Sequence, residues 1–251
     1  IKGHVAEHKQ GGFVQGVPGM ESRLKTGITA SVRHGQIAYP KGDLWSGAWA
    51  KEPHHTVSYV SCHDNHTLWD KLLITTPGLT TAQRIALYKL SAAIMMTSQG
   101  IAFLHAGEEL LRTKKGHENS YNLPDAINAI DWKRKVAHRD VFDYYRGLIA
   151  LRKAHPALRM TTAAAIRKNL AFLPMPAEHM VGYCINGTDV GDSAEWLVVL
   201  FNASAAAQTV DLPESGWKVV VDATQAGTKT LRTLKGSRVE IAPRSALVLV
   251  R

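Results

Sequence analysis

Two patterns of apolar and polar residues follow one another along the chain. In the first, the β-branched, apolar run at 56–62 and the run at 101–105 are typical of strands buried on both faces of a parallel sheet. Capping-box spacing and apolar residues at helical intervals predict a helix over about 80–100 between them. A second apolar stripe predicts a helix over 139–153. We therefore expect a β/α arrangement with a right-handed crossover.

The second pattern begins near residue 157 and consists of short β runs separated by turn-rich stretches. Regular short strands with turn signals indicate an antiparallel sandwich. The expected strands lie at 170–173, 180–185, 196–201, 208–212, 217–221, 238–241 and 246–250. We accordingly expect one region over 1–157 and a second over 158–251.

The first 50 or so residues are rich in glycine and lack strong periodicity, apart from a short helical possibility at 20–24. We interpret them as a long loop with small elements. Two strands cannot close a barrel or protect both edges of a sheet. The first region is therefore expected to be part of a larger structure.

Composition narrows the functional classes. Apolar residues make up 45% of the 251-residue chain and charged residues 20%, as in soluble globular proteins. The net charge is +9, but the basic residues are scattered and are not interleaved with aromatics, which argues against nucleic-acid binding. The two cysteines, Cys62 and Cys184, have no metal-ligand spacing and are expected to be buried free thiols.

The segment with the clearest chemical content directly follows the predicted strand at 56–62. It carries His63, Asp64 and Asn65, with Trp69 further along. In β/α barrels the carboxyl ends of the strands carry the active site. There Asp64 suits stabilisation of positive charge, His63 suits a hydrogen bond to a substrate oxygen, and Trp69 suits stacking on a sugar ring. The His-Asp pair alone is equally consistent with a helix cap or a solvated loop.

An ordered set of motifs extends this interpretation. Residues 59–71 resemble the fourth signature region of glycoside hydrolase family 13, in the longer form found in type I pullulanases. Residues 98–109 are similar to the eighth barrel strand and its loop, residues 112–132 to the segment that follows, and residues 243–249 to the closing strand of the C-terminal domain. Gly12-Phe13 and Gly16 are similar to the segment after the sixth strand.

The resemblance implies a fold and a set of roles. The fold would be the C-terminal part of a (β/α)8 TIM barrel, about strands 7 and 8, followed by an antiparallel β-sandwich. Asp64 would be the transition-state stabiliser, whereas the expected substrate-binding residues are His63, Asn65, Trp69, Asn119 and Tyr121. Glu108 and Glu109 are expected to support neighbouring loops rather than to act in catalysis.

The chain also departs from the family pattern. A retaining glycosidase needs a nucleophilic carboxylate and a general acid/base. The family places these in a stretch like Gly-Phe-Arg-Phe-Asp and in a Glu after the fifth strand, and neither stretch occurs here. We therefore expect a fragment that lacks both groups, is inactive alone and is completed by the N-terminal part of the barrel.

The implied parent is an enzyme that cleaves α-1,6-glucosidic branch points in pullulan, starch or glycogen. The alternatives are a non-catalytic carbohydrate-binding or complementing chain, or another starch-active enzyme such as an isoamylase, a glycogen debranching enzyme or an α-amylase. Calcium occurs in many relatives, but the chain has no dense Asp/Asn ligand loop and no metal site is assigned. The expected partners are α-glucan and the missing barrel part, with neither nucleic acid nor membrane.

Overall fold

The computed structural model describes residues 1–39 and 47–251. Residues 40–46 of the expected N-terminal loop lie outside the described residues. The described helices are α1 (Glu21–Ile28), α2 (Leu68–Thr75), α3 (Thr81–Thr97), α4 (Asp125–Asn128), α5 (Arg134–Ala137), α6 (Arg139–Ala154) and α7 (Ala163–Asn169). The strands are β1 (Val57–Ser58), β2 (Ile101–Ala102), β3 (Leu170–Leu173), β4 (Met180–Asn186), β5 (Trp196–Asn202), β6 (Gln208–Asp211), β7 (Lys218–Val221), β8 (Arg232–Thr233), β9 (Arg238–Ile241) and β10 (Ser245–Val250).

Strands β1 and β2 form a parallel pair, in which Val57 lies opposite Ile101. Helices α2 and α3 lie between them in sequence, as expected for a β/α crossover. The prediction that both strands are buried on both faces is wrong for the described residues. Val57 is 52% exposed and Ile101 50% exposed. A two-stranded pair has only one covered face here, so its other side chains remain in contact with solvent.

Helix α3 is the central support of the first region. Thr80 accepts a hydrogen bond from the backbone N–H of Gln83, and the Gln83 side chain accepts one from the backbone N–H of Thr80. This capping box satisfies donors that the first helical turn leaves free. The helix is buried continuously from Leu87 to Thr97. It packs against α6 and against β10 of the large sheet.

The second region contains a six-stranded sheet in the order β3-β4-β5-β10-β7-β8, in which every pairing is antiparallel. Strand β10 lies in the middle, and Val248 pairs with Val199 on one side and with Val221 on the other. Its register against β7 shifts between Val248 and Leu249. Continuous apolar sequences suit these central strands, because both faces of the sheet are covered.

Two apolar cores lie on opposite faces of this sheet. One joins Val199 and Val248 to the helical region and includes Leu90 and Tyr145. The other lies under the antiparallel pair β6–β9 and includes Val210 and Leu247. The antiparallel, layered character predicted for 158–251 is thus confirmed, and the large sheet is the surface on which the helices pack.

The sequence patterns missed five of the described helices and strands, and two of these are the one-turn helices α4 and α5 in the stretch before α6. Helix α2 begins inside the segment that we treated as a site loop, α7 precedes the first sandwich strand, and β8 is a two-residue edge strand. Each is short, so too few apolar positions repeat to reveal a period. No helix in the described ranges has the length and apolar character needed to cross a membrane.

Candidate functional site

The candidate site is built on the loop between β1 and α2. Ser61 Oγ accepts a hydrogen bond of 2.7 Å from the backbone N–H of Leu68, which closes the loop at its base. Thr67 caps α2 by accepting a hydrogen bond from the backbone N–H of Asp70. Asn65 has a φ of 61°, a left-handed conformation that asparagine tolerates better than most residues. The loop therefore turns sharply just before the helix.

His63 and Asp64 lie at the tip of this loop and are exposed to solvent. The His63 side chain is 86% exposed and the Asp64 side chain 69% exposed, and His63 Nε2 lies 3.5 Å from Asp64 Oδ2. A pocket of about 230 Å³ beside the tip is lined by Asp64 and Asn65 together with Lys2 and Tyr59. The structure thus brings three predicted site residues together at an accessible surface.

Asp70 anchors the loop from below. It is buried, its Oδ2 accepts a hydrogen bond of 2.7 Å from the backbone N–H of Lys114, and its Oδ1 accepts one from the Thr113 hydroxyl. The Lys114 ammonium group donates in turn to the backbone carbonyl oxygens of His63 and Glu118, both at 3.1 Å. These bonds fix the backbone beneath His63 relative to the segment after β2.

Lys71 fixes the N-terminal segment to the same place. The side chain is buried and its ammonium group donates to the backbone carbonyls of His4, Glu7 and His8, at 2.8 to 2.9 Å. All three ammonium protons can thereby be satisfied, which offsets the cost of burying the charge. Burial nevertheless lowers the pKa of Lys71.

His105 and Arg112 lie on the segment after β2. The Arg112 guanidinium donates to His105 Nε2 at 3.1 Å and to the backbone carbonyls of Ala106 and Asn128 at 2.9 and 3.0 Å. Burial, with the neighbouring charges of Arg112 and Lys114, lowers the pKa of His105 to about 4. His105 is therefore neutral near pH 7, and Arg112 fixes its Nε2 as a hydrogen-bond acceptor.

Glu108 is a buried carboxyl group beneath the site. Its Oε1 accepts a hydrogen bond of 3.0 Å from the Tyr145 hydroxyl, and its backbone carbonyl accepts one of 2.6 Å from the Tyr88 hydroxyl. Burial raises the pKa of Glu108 to about 8, although the Tyr145 hydrogen bond opposes this. The position of Glu108 fits the expected supporting role.

The remaining predicted site residues have different environments. Asn119 and Tyr121 are exposed on the loop after Lys114, and Tyr121 is 84% exposed. Trp69 is only 8% exposed, lies on α2 and contacts the Tyr88 ring edge-on at 6.2 Å between centroids. The expected role of Trp69 as a sugar-stacking surface is contradicted by this burial. Its ring instead belongs to the core, because α2 directs it towards α3.

The two cysteines are free, as expected, but each is only partly buried, so the expectation that they are buried is wrong. Sequence reasoning also missed the buried lysines Lys71 and Lys114. Lys71 lies among apolar residues in the sequence of α2, and this pattern could have indicated that its side chain is buried. Lys114 carried no such signal, because it lies in a short basic group that resembles a solvated surface.

One group of imidazole and carboxylate side chains among the described residues could hold a metal ion, and this group suits calcium poorly. Within residues 1–39 and 47–251, His8, His66 and Glu118 form the one group of three or more side chains arranged to hold a metal ion. Two of its three donors are imidazole nitrogens, whereas calcium takes oxygen ligands. No calcium-dependent step is therefore assigned to these residues.

Comparison with known proteins shows that the chain is related to starch-debranching glycoside hydrolases. The family model described as the pullulanase all-beta domain matches residues 166–225. The chain is 37% identical to the pullulanase of Bacillus subtilis (strain 168) over 199 residues, which are 76% of this chain and 28% of that protein. Isoamylases also match, including one from Flavobacterium at 30% identity.

The solved structures that we compare with the chain are pullulanases. The pullulanase from Bacillus acidopullulyticus superposes with a TM-score of 0.90 at 37% identity, covering 100% of this chain and 29% of that one. The pullulanase from Paenibacillus barengoltzii in complex with maltohexaose and α-cyclodextrin superposes with a TM-score of 0.88 at 40% identity, covering 100% of this chain and 37% of that one. The expected resemblance to the C-terminal portion of pullulanases is confirmed, and the chain spans less than two fifths of these relatives.

Proposed function

We propose that the protein carrying this chain hydrolyses α-1,6-glucosidic branch linkages in pullulan, starch or glycogen by a retaining mechanism. The observation that carries the proposal is the exposed tip formed by His63, Asp64 and Asn65 beside a pocket, in a chain similar throughout to pullulanases. Asp64 would stabilise the oxocarbenium-like transition state, while His63 and Asn65 would bind sugar hydroxyls.

In this proposal, residues 1–157 supply about the last two strands of a TIM barrel and one wall of the cleft. Residues 158–251 form the C-terminal sandwich that supports it. The parallel pair β1–β2 has the polarity that such a barrel requires, and its exposed Val57 and Ile101 provide an apolar surface for further barrel residues. Asn119 and Tyr121 would border the cleft from the loop after β2.

The nucleophilic Asp and the acid/base Glu would come from residues outside this chain. The two carboxyl groups of a retaining enzyme stand about 5 Å apart, and one stabilising aspartate cannot form the glycosyl intermediate. The chain alone is accordingly proposed to be inactive. The fixed base under His63 and Asp64 would hold them in place, which limits reorganisation when substrate charge develops.

The deciding experiment compares pullulan hydrolysis by the full-length protein, by the isolated 251-residue chain and by their Asp64→Asn variants. We expect turnover by the full-length protein, none by the isolated chain, and loss of turnover in full-length Asp64→Asn with its thermal transition unchanged. Turnover by the isolated chain, or an active full-length Asp64→Asn variant, would contradict the proposal. Hydrolysis of glycogen branches without action on pullulan would favour an isoamylase.

A non-catalytic glucan-binding or complementing role is the second candidate, favoured by the short span of the chain relative to its relatives. Binding of the isolated chain to amylopectin without turnover would support a binding role. Recovery of hydrolysis on adding a separate chain that bears the two carboxylates would support complementation.

A further inference from the structure

We propose that His8, His66 and Glu118 form a zinc site that braces the edge of the candidate cleft. These side chains come from three segments: the N-terminal stretch, the loop before α2 and the loop after Lys114. One donor atom from each lies within 4.8 Å of the others. Two imidazoles and a carboxylate are a ligand set characteristic of zinc.

The tautomer of His66 leaves one of its nitrogens free to bind a metal. His66 Nε2 lies 3.1 Å from the backbone carbonyl oxygen of Gly116, which can only accept a hydrogen bond. Nε2 must therefore carry the proton, and Nδ1 presents a lone pair. A histidine that donates its second N–H to a backbone carbonyl is the usual arrangement behind a metal ligand.

The spacing of the two imidazoles already suits a single ion. His8 Nδ1 lies 3.2 Å from His66 Nδ1, and the two rings are nearly perpendicular, at 80°. Two ligand atoms on a tetrahedral zinc ion, with bonds of 2.0–2.1 Å, stand about 3.3 Å apart. Without an ion this contact is a hydrogen bond that His8 Nδ1–H donates to His66 Nδ1, so an ion held by both nitrogens would take the place of that proton and release it.

Glu118 would complete the set of three protein ligands. Its Oε2 lies 3.7 Å from His8 Nε2 and 3.8 Å from His66 Nε2, the ring nitrogens that would not bind the ion, so the carboxylate has to turn towards the two Nδ1 atoms. The side chain is 47% exposed, so it has the freedom to turn towards the ion. Three protein ligands leave a fourth position for water.

A separate lysine holds the backbone of each of these three residues. Lys71 donates to the carbonyl of His8 at 2.9 Å, and Lys114 donates to the carbonyl of Glu118 at 3.1 Å. Lys2 donates to the carbonyl of His66 at 3.0 Å. The three backbones are therefore fixed relative to one another before any ion binds, which reduces the ordering cost of binding.

The same lysines disfavour ions that are held mainly by charge. Calcium and magnesium prefer several oxygen ligands, whereas this group offers one carboxylate, and three lysine ammonium groups bind the backbone carbonyls beside it. Zinc is held by directional bonds to imidazole nitrogen and tolerates such surroundings better. The site is therefore expected to select a late first-row transition ion.

The test is a zinc titration of the chelator-treated full chain, in competition with a chromophoric chelator. We expect one tight zinc per chain, and about 100-fold weaker binding in His8→Ala, which removes a half-buried ligand outside any helix or strand. Glu118→Gln should weaken binding about tenfold. The matched control His117→Ala, at an exposed neighbour of Glu118, should bind as the unchanged chain does. Cobalt(II) as the probe should give a visible absorption band that His8→Ala abolishes.

Two results would overturn the proposal. Absence of saturable zinc binding would mean that the group is a hydrogen-bonded histidine pair only. Tight binding retained in both His8→Ala and Glu118→Gln, but lost in Cys62→Ser, would assign the zinc to the thiol instead. Circular dichroism of each variant distinguishes loss of the ion from loss of the fold. The zinc readout does not depend on glucan hydrolysis, so its failure would leave the proposed function unaffected.

Discussion

The candidate site has an exposed rim and a buried base, made by the same loops but of opposite character. The rim consists of His63, Asp64, Asn119 and Tyr121, whose side chains are open to solvent. The base consists of Asp70, Lys71, Glu108 and Lys114, which are almost completely buried. Rim residues make few contacts within the protein, whereas base residues have most of their hydrogen bonds to backbone atoms. We infer that the rim acts on the ligand and that the base determines where the rim stands.

The largest expected effect concerns the rim and separates activity from stability. Asp64→Asn in the full-length protein should lower turnover of pullulan about 1,000-fold, equivalent to about 4 kcal/mol of transition-state stabilisation. Its free energy of unfolding should change by less than about 0.5 kcal/mol, because the side chain is exposed. Steady-state kinetics and denaturant unfolding measure the two quantities. A large loss of stability would break the distinction between rim and base.

Replacing Lys71 should have the opposite outcome. Lys71→Met leaves three backbone carbonyls without their donor, and we expect a loss of about 3 kcal/mol in the free energy of unfolding. Lys9→Met is the matched control, because Lys9 is exposed in the segment that Lys71 holds, and it should be nearly neutral. If urea unfolding gave the same free energy of unfolding for the two variants, the buried ammonium group would not contribute to the stability of the fold.

Glu108 gives the base a dependence on pH. Its pKa of about 8 in the fold lies above the usual value of 4.5, so the unfolded chain releases this proton first. Stability is therefore lost as the pH rises between these values. Relative to Glu108→Gln, the unchanged protein should lose about 2 kcal/mol of unfolding free energy between pH 5 and pH 7. If the unfolding free energies of the two proteins changed with pH in the same way, the raised pKa of Glu108 would be refuted. Glu109→Gln is the control and should keep the pH dependence of the unchanged protein.

Asp70 tests the contact between the two loops. Asp70→Ala removes the acceptor for the Thr113 hydroxyl and for the Lys114 backbone N–H, which should cost about 2 kcal/mol of unfolding free energy. Hydrogen exchange at the Lys114 amide should accelerate at the same time. Asp125→Ala, at an exposed carboxylate, is the comparison. Unchanged protection at Lys114 would show that this contact is dispensable.

The smallest effect again belongs to the rim. His63→Ala should lower turnover of pullulan by the full-length protein about tenfold. The variant would lose the hydrogen bond that we propose between His63 and a sugar hydroxyl, which is worth roughly 1–1.5 kcal/mol. Its thermal transition should stay unchanged because the ring is exposed. A normal rate would remove His63 from the substrate-binding residues.

The sequence predicted the helices and strands better than it predicted the buried residues beneath the candidate site. The Thr80–Gln83 capping box and the apolar spacing of α3 are local signals, and so are the continuous apolar runs of the central sheet strands. Lys71, by contrast, donates to backbone carbonyls of the N-terminal segment that are 63 to 67 residues away in sequence. Lys114 donates to the carbonyl of His63, which is 51 residues away. No local pattern encodes such contacts. Trp69 was misassigned because the short helix α2, which turns it inwards, has too few residues to show a period.

The segment that joins the helices of the first region to the sheet is hydrogen-bonded to both, and on the sheet side the backbone N–H of Ala157 donates to Asp192 Oδ2, in the turn between β4 and β5, at 3.0 Å. The Arg152 guanidinium donates to the backbone carbonyls of Ser98 and Leu158, at 2.7 and 2.9 Å. The Gln99 side chain donates to the carbonyl of Ala157 and accepts from the backbone N–H of Met160, both at 2.9 Å. Heat should therefore melt the helices and the sheet in one cooperative calorimetric transition. A protease should likewise find no cleavable bond there until the whole chain has opened.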